Sequence, residues 1–141
     1  MRFTIQEHIA KKAGKHWDLR LQMPGDLSKY RTKRDFSTTK EPVGKGTSVM
    51  RSWSIPKARL PRKGEKLLAV ATEDHPLSYQ NFEGEIPSGY GAGTVKLIAN
   101  GNYKMLEQQG NNIKFELPKF GTFRIIPFKS NALIVQASVE K

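Results

Sequence analysis

The chain has 141 residues, and 24 lysines and arginines against 13 aspartates and glutamates give it a formal net charge of +11 at pH 7. This length suffices for one compact domain, and we expect residues 1–141 to form a single one. The absence of cysteine excludes disulfides, thiolate metal sites and a cysteine nucleophile. The surplus of positive charge indicates a polyanionic partner, such as nucleic acid or an anionic membrane surface.

The first segment, MRFTIQEHIAKK, lacks the apolar middle of a secretory signal. No stretch approaches the roughly 18 apolar residues that a membrane-spanning helix needs. We therefore expect a cytoplasmic protein that does not insert into a membrane.

Most apolar residues recur with a period of two, in short runs separated by Gly, Pro and Asn, as half-buried strands do. This pattern predicts at most nine strands, at residues 2–8, 15–22, 52–56, 66–72, 93–99, 102–106, 112–117, 121–127 and 132–139. A small chain of successive hairpins commonly hides its sheet edges by closing into a barrel. We therefore expect an all-β fold, a small β-barrel of about eight strands.

Several short polar segments predict turns between these strands. Asn100 and Gly101 separate two apolar runs and predict a hairpin with a type I′ turn. Residues 110–112 and 130–131 predict two further hairpin turns. The glycines of residues 88–93 have neither the spacing nor the following helix of a nucleotide-binding loop, so they predict a turn with close backbone approach.

Residues 23–51 interrupt the strand pattern and predict a long basic loop. Loops of this length inside a compact domain are usually functional or disordered. Two interpretations remain open, a solvated insertion and a nucleic-acid contact. In the second interpretation, the contacting cations include Lys29, Arg31, Lys33 and Arg34.

The predicted strand at 15–22 carries three polar side chains that alternate with apolar ones, namely His16, Asp18 and Arg20. Alternation places these three on one face and the apolar residues on the core face. Burying such a row is costly unless the groups meet a ligand or one another. The row therefore indicates a site, although a solvent-facing strip with an incidental Asp18–Arg20 pair has the same spacing.

His8 ends the preceding strand, and a short link joins that strand to the next one. If the two strands pair as a hairpin, His8 approaches His16 and Asp18. Two imidazoles and a carboxylate suit Mn²⁺, Fe²⁺ or Zn²⁺. An ordinary surface imidazole is the alternative interpretation of His8 on its own.

The third histidine, His75, follows an apolar strand and precedes Pro76. Glu73 shares its strand face. A histidine in this position can bind a phosphate oxygen or give a proton to a leaving group. A turn capped by Asp74, with an exposed His75, fits the same residues.

The chain is similar to one known family through a series of ordered motifs. These are residues 3–8 (FTIQEH), 16–21 (HWDLRL), 53–57 (WSIPK), 73–79 (EDHPLSY), 82–84 (FEG), 86–87 (IP) and 90–95 (YGAGTV). Together they resemble the 3′-phosphoesterase domain of bacterial DNA ligase D, here as a free-standing member.

The resemblance implies a manganese-dependent hydrolase that heals DNA 3′ ends during non-homologous end joining. Such a nuclease removes a terminal ribonucleoside from a primer–template duplex and then hydrolyses the remaining 3′-phosphate. A separate ligase and polymerase of end joining are the implied partners.

The resemblance also assigns roles to individual residues. The matched metal ligands are His8, His16 and Asp18, and the matched contacts to the scissile phosphate are Arg20, His75 and Tyr79. Further matched positions around the site are Gln6, Lys57 and Glu73, of which Gln6 and Glu73 are expected to orient imidazoles. Tyr79 also fits a purely structural role as a buried tyrosine.

Three features depart from the family pattern. The link between His8 and His16 is longer, Lys66 stands where the family commonly has Arg, and the basic loop replaces a short turn. Lys in place of Arg changes a bidentate phosphate contact into a point charge. The last two departures affect removal of a ribonucleoside more than removal of a phosphate, because the former needs more substrate contacts.

Two other functions remain open at this point. A non-catalytic, basic β-barrel that binds nucleic acid fits the charge. A metal-dependent phosphoesterase acting on RNA ends or small nucleotides would share the site but not the substrate.

Overall fold

The computed structural model of the chain describes residues 1–12, 14–25, 27, 30, 36–37, 41, 48–87 and 92–137. Its strands are β1 (Arg2–Ala10), β2 (Gly14–Pro24), β3 (Ser48–Ile55), β4 (Lys66–Pro76), β5 (Gly84–Ile86), β6 (Gly93–Asn102), β7 (Lys104–Gln109), β8 (Asn112–Leu117), β9 (Gly121–Phe128) and β10 (Asn131–Gln136). A short 3-10 helix, η1 (Leu77–Asn81), follows β4. The prediction of an all-β fold is confirmed.

The strands form one 10-stranded antiparallel sheet, in the order β5-β6-β1-β2-β3-β4-β10-β9-β8-β7. Hydrogen bonding does not close the sheet between β5 and β7 in the described part of the chain. Side chains from strands that lie far apart in this order nevertheless share one core, which shows that the sheet curls. The ring centroids of Phe3 and Phe120 lie 6.4 Å apart, and the Tyr103 hydroxyl donates to the Gln22 carbonyl at 2.8 Å. The fold is thus barrel-like, with more strands than expected.

The main core lies inside this curl and is built from the alternating apolar residues of the strands. It comprises Phe3, Ile5, Leu19, Leu21, Met23, Trp53, Ile55, Leu67, Ala69, Tyr103, Ile113, Phe115, Leu117, Phe123, Ile125, Ala132 and Ile134. These side chains remove one face of β1 to β4 from water, which is the dominant favourable contribution to folding.

A second apolar cluster lies away from the main core and includes side chains of β3, β6 and η1. Its members are Leu27, Tyr30, Val49, Tyr79, Phe82, Ile86 and Val95. Val95 of β6 pairs with His8 of β1, so this cluster adjoins the polar face of β1. The central strands are consequently buried on both faces, and their polar side chains lie between two apolar layers.

The predicted hairpin at Asn100 and Gly101 is wrong. Strand β6 continues through both residues and pairs with β1, where Gly101 lies opposite Phe3. A side chain at position 101 would lie within 3.2 Å of the Phe3 ring, so this glycine allows a close approach and does not form a turn. Strand β5 was not expected, because three residues are too few to show a period of two.

The other turn predictions agree with the observed pairing. β7 pairs with β8 across Gly110, whose φ is 58°, and β9 pairs with β10 across residues 129–130. The predicted loop at 23–51 is shorter than expected, because β2 extends to Pro24 and β3 begins at Ser48. In the described residues, no helix is long and apolar enough to cross a membrane.

Gly93, at the start of β6, is predicted to be a position that tolerates no side chain. Its φ is 149°, and an added Cβ would collide with the Ile9 carbonyl oxygen and lie 2.8 Å from the Ala10 Cα. We expect Gly93→Ala to lower the free energy of unfolding by more than about 3 kcal/mol, since it combines strain with a backbone clash. Urea denaturation measures this loss.

The matched control is Gly110→Ala, at a glycine that also has a positive φ but has open space around it. Its expected cost is about 1–2 kcal/mol, from the left-handed conformation alone. Equal losses in the two variants would contradict the close approach of β6 to β1.

Candidate metal and phosphate site

The register between β1 and β2 assembles the polar face predicted from the sequence. Gln6 lies opposite Asp18, and His8 lies opposite His16. Directly opposed residues in an antiparallel pair project to the same face, so both pairs share one surface. The predicted β1–β2 hairpin is therefore confirmed, and Gly14 ends its turn with a φ of 73°.

His8, His16 and Asp18 form a triad in which one potential ligand atom of each lies within 4.8 Å of the others. His16 Nε2 lies 3.3 Å from Asp18 Oδ1, and His8 Nδ1 lies 3.8 Å from Asp18 Oδ2. His8 and Asp18 are buried and His16 is half-buried, and the two histidine side chains are 11% and 14% exposed. Two imidazole nitrogens and one carboxylate are donors that a divalent cation accepts.

The electrostatics of the triad keep Asp18 ionised. Burial raises the pKa of the Asp18 carboxyl, but Arg20, His16 and His8 outweigh burial, and the net pKa is lowered from its ordinary value. Burial lowers the pKa of His16, but its hydrogen bond and attraction to Asp18 outweigh burial, and the net pKa is raised. At neutral pH, Asp18 therefore offers a charged carboxylate oxygen as a potential metal ligand.

Arg20 lies deeper than the triad, with a side chain only 5% exposed. Its Nε donates to Gln6 Oε1 at 2.7 Å, its Nη1 donates to Ser52 Oγ at 2.8 Å, and its Nη2 donates to Asp18 Oδ2 at 3.4 Å. The guanidinium also lies over the Tyr79 ring, 4.7 Å from its centroid. These contacts fix the orientation of a buried cation next to the triad.

The described hydrogen bonds of Gln6 are to Arg20 and to the backbone around η1. It accepts a hydrogen bond from Arg20 and donates to the carbonyls of Tyr79 and Phe82, at 2.9 and 3.0 Å. The expected contact with an imidazole does not appear among the described hydrogen bonds. Gln6 instead joins Arg20 to the backbone around η1, because the β1 strand passes beneath that helix.

His75 comes from the end of β4 and meets Arg20 from the opposite side. Its Nδ1 lies 3.1 Å from Arg20 Nη1, 3.3 Å from Ser52 Oγ and 2.9 Å from the Glu73 carbonyl oxygen. The tautomer decides which contact forms, since Nδ1 donates to the carbonyl when protonated and accepts from Arg20 or Ser52 otherwise. Its Nε2 lies 4.0 Å from the Glu73 carboxylate, so Glu73 adjoins the ring as expected.

Tyr79 in η1 completes the deep part of the site. Its ring centroid lies 4.6 Å from that of His75, and its hydroxyl donates to Glu41 Oε2 at 2.8 Å. Tyr30 is fully buried beside it, with ring centroids 5.1 Å from His75 and 6.1 Å from Tyr79. Side chains from the segment between β2 and β3 thus contact the predicted phosphate residues.

Lys57 and Lys66 remain outside this network. Both are exposed, and neither hydrogen-bonds the triad or Arg20 in the described part of the chain. Ile55, the last residue of β3, pairs with Trp17 near the start of β2. Lys57 follows two residues later and therefore lies near the start of β2. The predicted nucleic-acid contacts Lys29, Arg31, Lys33 and Arg34 lie outside the described residues.

Sequence reasoning missed three residues of the site, namely Ser52, Tyr30 and Glu41. Ser52 alternates with the core residues of β3 and pairs with Arg20, so a correct strand register would have identified it. No sequence signal identifies Glu41, because its contact with Tyr79 joins residues 38 positions apart.

A family model confirms the resemblance that the motifs suggested. The model of the DNA ligase D 3′-phosphoesterase domain matches residues 45–123, more than half of the chain. The chain belongs to this family. Ser52, Glu73, His75 and Tyr79 fall inside the matched segment, and the β1–β2 residues of the site precede it.

Curated relatives agree with membership of the DNA ligase D 3′-phosphoesterase family. The multifunctional non-homologous end joining DNA repair protein LigD of Mycobacterium tuberculosis is 38% identical over 102 residues, which is 72% of this chain. LigD of Pseudomonas aeruginosa is 34% identical over 108 residues, or 76% of this chain, and that of Mycolicibacterium smegmatis is 36% identical over 104 residues, or 73%. The chain spans only 10% of the length of each relative.

The contacts of Gln6 predict that it stabilises the fold through Arg20. Gln6→Leu removes the described partner of the Arg20 Nε–H and of the Phe82 carbonyl, whereas the Tyr79 carbonyl still accepts from the Phe82 N–H, and each lost partner costs roughly 1–3 kcal/mol. We expect the free energy of unfolding to fall by at least about 2 kcal/mol, as measured by urea denaturation. Gln108→Leu on exposed β7 is the control, with an expected change within about 0.5 kcal/mol. Similar changes in both variants would contradict the buried network.

Proposed function

We propose that this chain is a metal-dependent phosphoesterase that heals DNA 3′ ends in the repair of breaks by non-homologous end joining. Its reactions are hydrolysis of a terminal 3′-phosphate and removal of a terminal 3′-ribonucleoside from primer–template DNA. The observation that carries this proposal is the direct contact between the His8–His16–Asp18 triad and the buried cation Arg20, through the Asp18 carboxylate. Membership of the family supports it.

His8, His16 and Asp18 are the residues that would hold the metal, with Mn²⁺ as the ion implied by the family. Their donor set of two nitrogens and one carboxylate fits Mn²⁺, Fe²⁺ and Zn²⁺ alike. A divalent cation supplies charge that polarises a phosphate and favours ionisation of a water molecule. His16 is the half-buried member of the triad and the one that a DNA end would meet from solvent.

Arg20 would bind the phosphate and offset the charge that develops in the transition state. Gln6 and Ser52 hold its guanidinium in place, so little reorganisation is needed when an anion arrives. His75 lies 3.1 Å from Arg20 and is suited either to bind a phosphate oxygen or to protonate the departing oxygen. Tyr79 can donate its hydroxyl to the same phosphate.

DNA is the substrate that the charge and the relatives favour. The net charge of +11 suits a polyanion better than a small nucleotide. Exposed Lys57 and Lys66, next to strands of the site, can neutralise backbone phosphates. The relatives are named as end-joining repair proteins, so a separate ligase or polymerase is the proposed partner.

A gel assay on 5′-labelled primer–template DNA tests this function. The DNA ends in a 3′-phosphate or in a single 3′-ribonucleotide, and each reaction contains manganese or EDTA. We expect manganese-dependent conversion of both substrates to a 3′-hydroxyl end. His16→Ala removes a proposed ligand and is expected to lower the rate at least about 100-fold.

The control is DNA affinity, measured by fluorescence anisotropy on the same duplexes. His16→Ala should leave this affinity nearly unchanged, because phosphate-backbone contacts dominate binding. Parallel loss of affinity and hydrolysis would contradict the assigned role of His16. Binding without cleavage under manganese, magnesium, cobalt or zinc would indicate a non-catalytic DNA-end-binding protein instead.

A further inference from the structure

Glu41 places a buried carboxylate next to the proposed phosphate contacts. The side chain belongs to the segment between β2 and β3, and the residue is only 5% exposed. Its Oε2 accepts the hydroxyl proton of Tyr79 at 2.8 Å. Neither family membership nor the sequence motifs assign a role to this residue.

Other side chains of the same segment pack around this contact. Tyr30 is fully buried against His75 and Tyr79, and Leu27 belongs to the same apolar cluster. The Glu41 carboxylate therefore meets Tyr79 in surroundings that largely exclude water. A hydrogen bond to a charged acceptor is stronger than a neutral one, and more so where water is excluded.

Tyr79 cannot serve Glu41 and a phosphate at the same time. A tyrosine hydroxyl carries one proton and donates one hydrogen bond. Glu41 and the phosphate therefore exclude one another.

We propose that Glu41 competes with the terminal phosphate for the Tyr79 hydroxyl. The carboxylate takes the hydrogen bond when no phosphate is bound, and a phosphate must displace it. This role rests on the proposed function for its substrate, a DNA 3′-phosphate. The competition itself applies to any phosphate anion that reaches Arg20 and Tyr79.

The test compares wild type with Glu41→Gln, which keeps the shape of the side chain and removes its charge. We expect the KM for a 3′-phosphate end to fall about tenfold and kcat to stay unchanged. The reason is that the charge-assisted hydrogen bond from Tyr79 to residue 41 is replaced by a weaker, neutral one. The dissociation constant for inorganic phosphate, obtained from the dependence of the Tm on phosphate concentration, should fall by a similar factor. This second readout needs neither metal nor hydrolysis.

Two further variants isolate the competition at Tyr79. Glu116→Gln removes the same charge from an exposed position on β8 and should change both values less than about twofold. In a Tyr79→Phe background, Glu41→Gln should change phosphate affinity less than about threefold, because the contested hydroxyl is absent.

The outcomes separate this proposal from the proposed function. An unchanged or higher KM and phosphate requirement in Glu41→Gln would overturn the competition, and a fall in kcat alone would assign Glu41 to positioning Tyr79. An equal effect of Glu41→Gln in the Tyr79→Phe background would also overturn it. A wild-type protein without manganese-dependent hydrolysis would overturn the proposed function, while the phosphate titration would still decide the role of Glu41.

Discussion

The Asp18–Arg20 ion pair is the interaction on which the rest of the site depends. The two residues alternate with core leucines on β2, so the strand must bury both charges in order to build its main core. Breaking a buried ion pair leaves an uncompensated charge, which is strongly destabilising. Asp18 also contacts both histidines of the triad, and Arg20 contacts Ser52 and His75. One strand thus joins the proposed metal ligands to the proposed phosphate contacts.

Much of this arrangement could be predicted from local periodicity. Alternation on β2 placed His16, Asp18 and Arg20 on one face, and the short link after β1 predicted the pairing that brings His8 to His16. These inferences succeeded because strand alternation and hairpin pairing depend on neighbouring residues alone. The local sequence also identified His75 as a candidate, but its approach to Arg20 depends on the pairing of β2 with β3 and of β3 with β4.

Features that depend on distant contacts could not be predicted. Asn100 and Gly101 have the composition of a tight turn, yet the edge of β1 provided hydrogen-bond partners and the sequence stayed extended. The contact between Glu41 and Tyr79 forms because apolar residues near Tyr30 pack on η1, which no local pattern reveals. Gln6 pairs with Asp18 in the ladder but points its amide to Arg20, since only the folded site shows which acceptor the guanidinium reaches.

Pulsed electron paramagnetic resonance of bound Mn²⁺ tests the central claim most directly. The protein carries ¹⁵N-labelled histidine, so each coordinated imidazole gives a distinct nitrogen coupling to the metal. The account predicts couplings from two histidine nitrogens in wild type and from one in His8→Gln, because His8 and His16 lie on opposite strands of one hairpin. Tightly bound Mn²⁺ that shows no nitrogen coupling from histidine would contradict the metal site. It would also contradict the proposal that Asp18 links metal binding to phosphate binding.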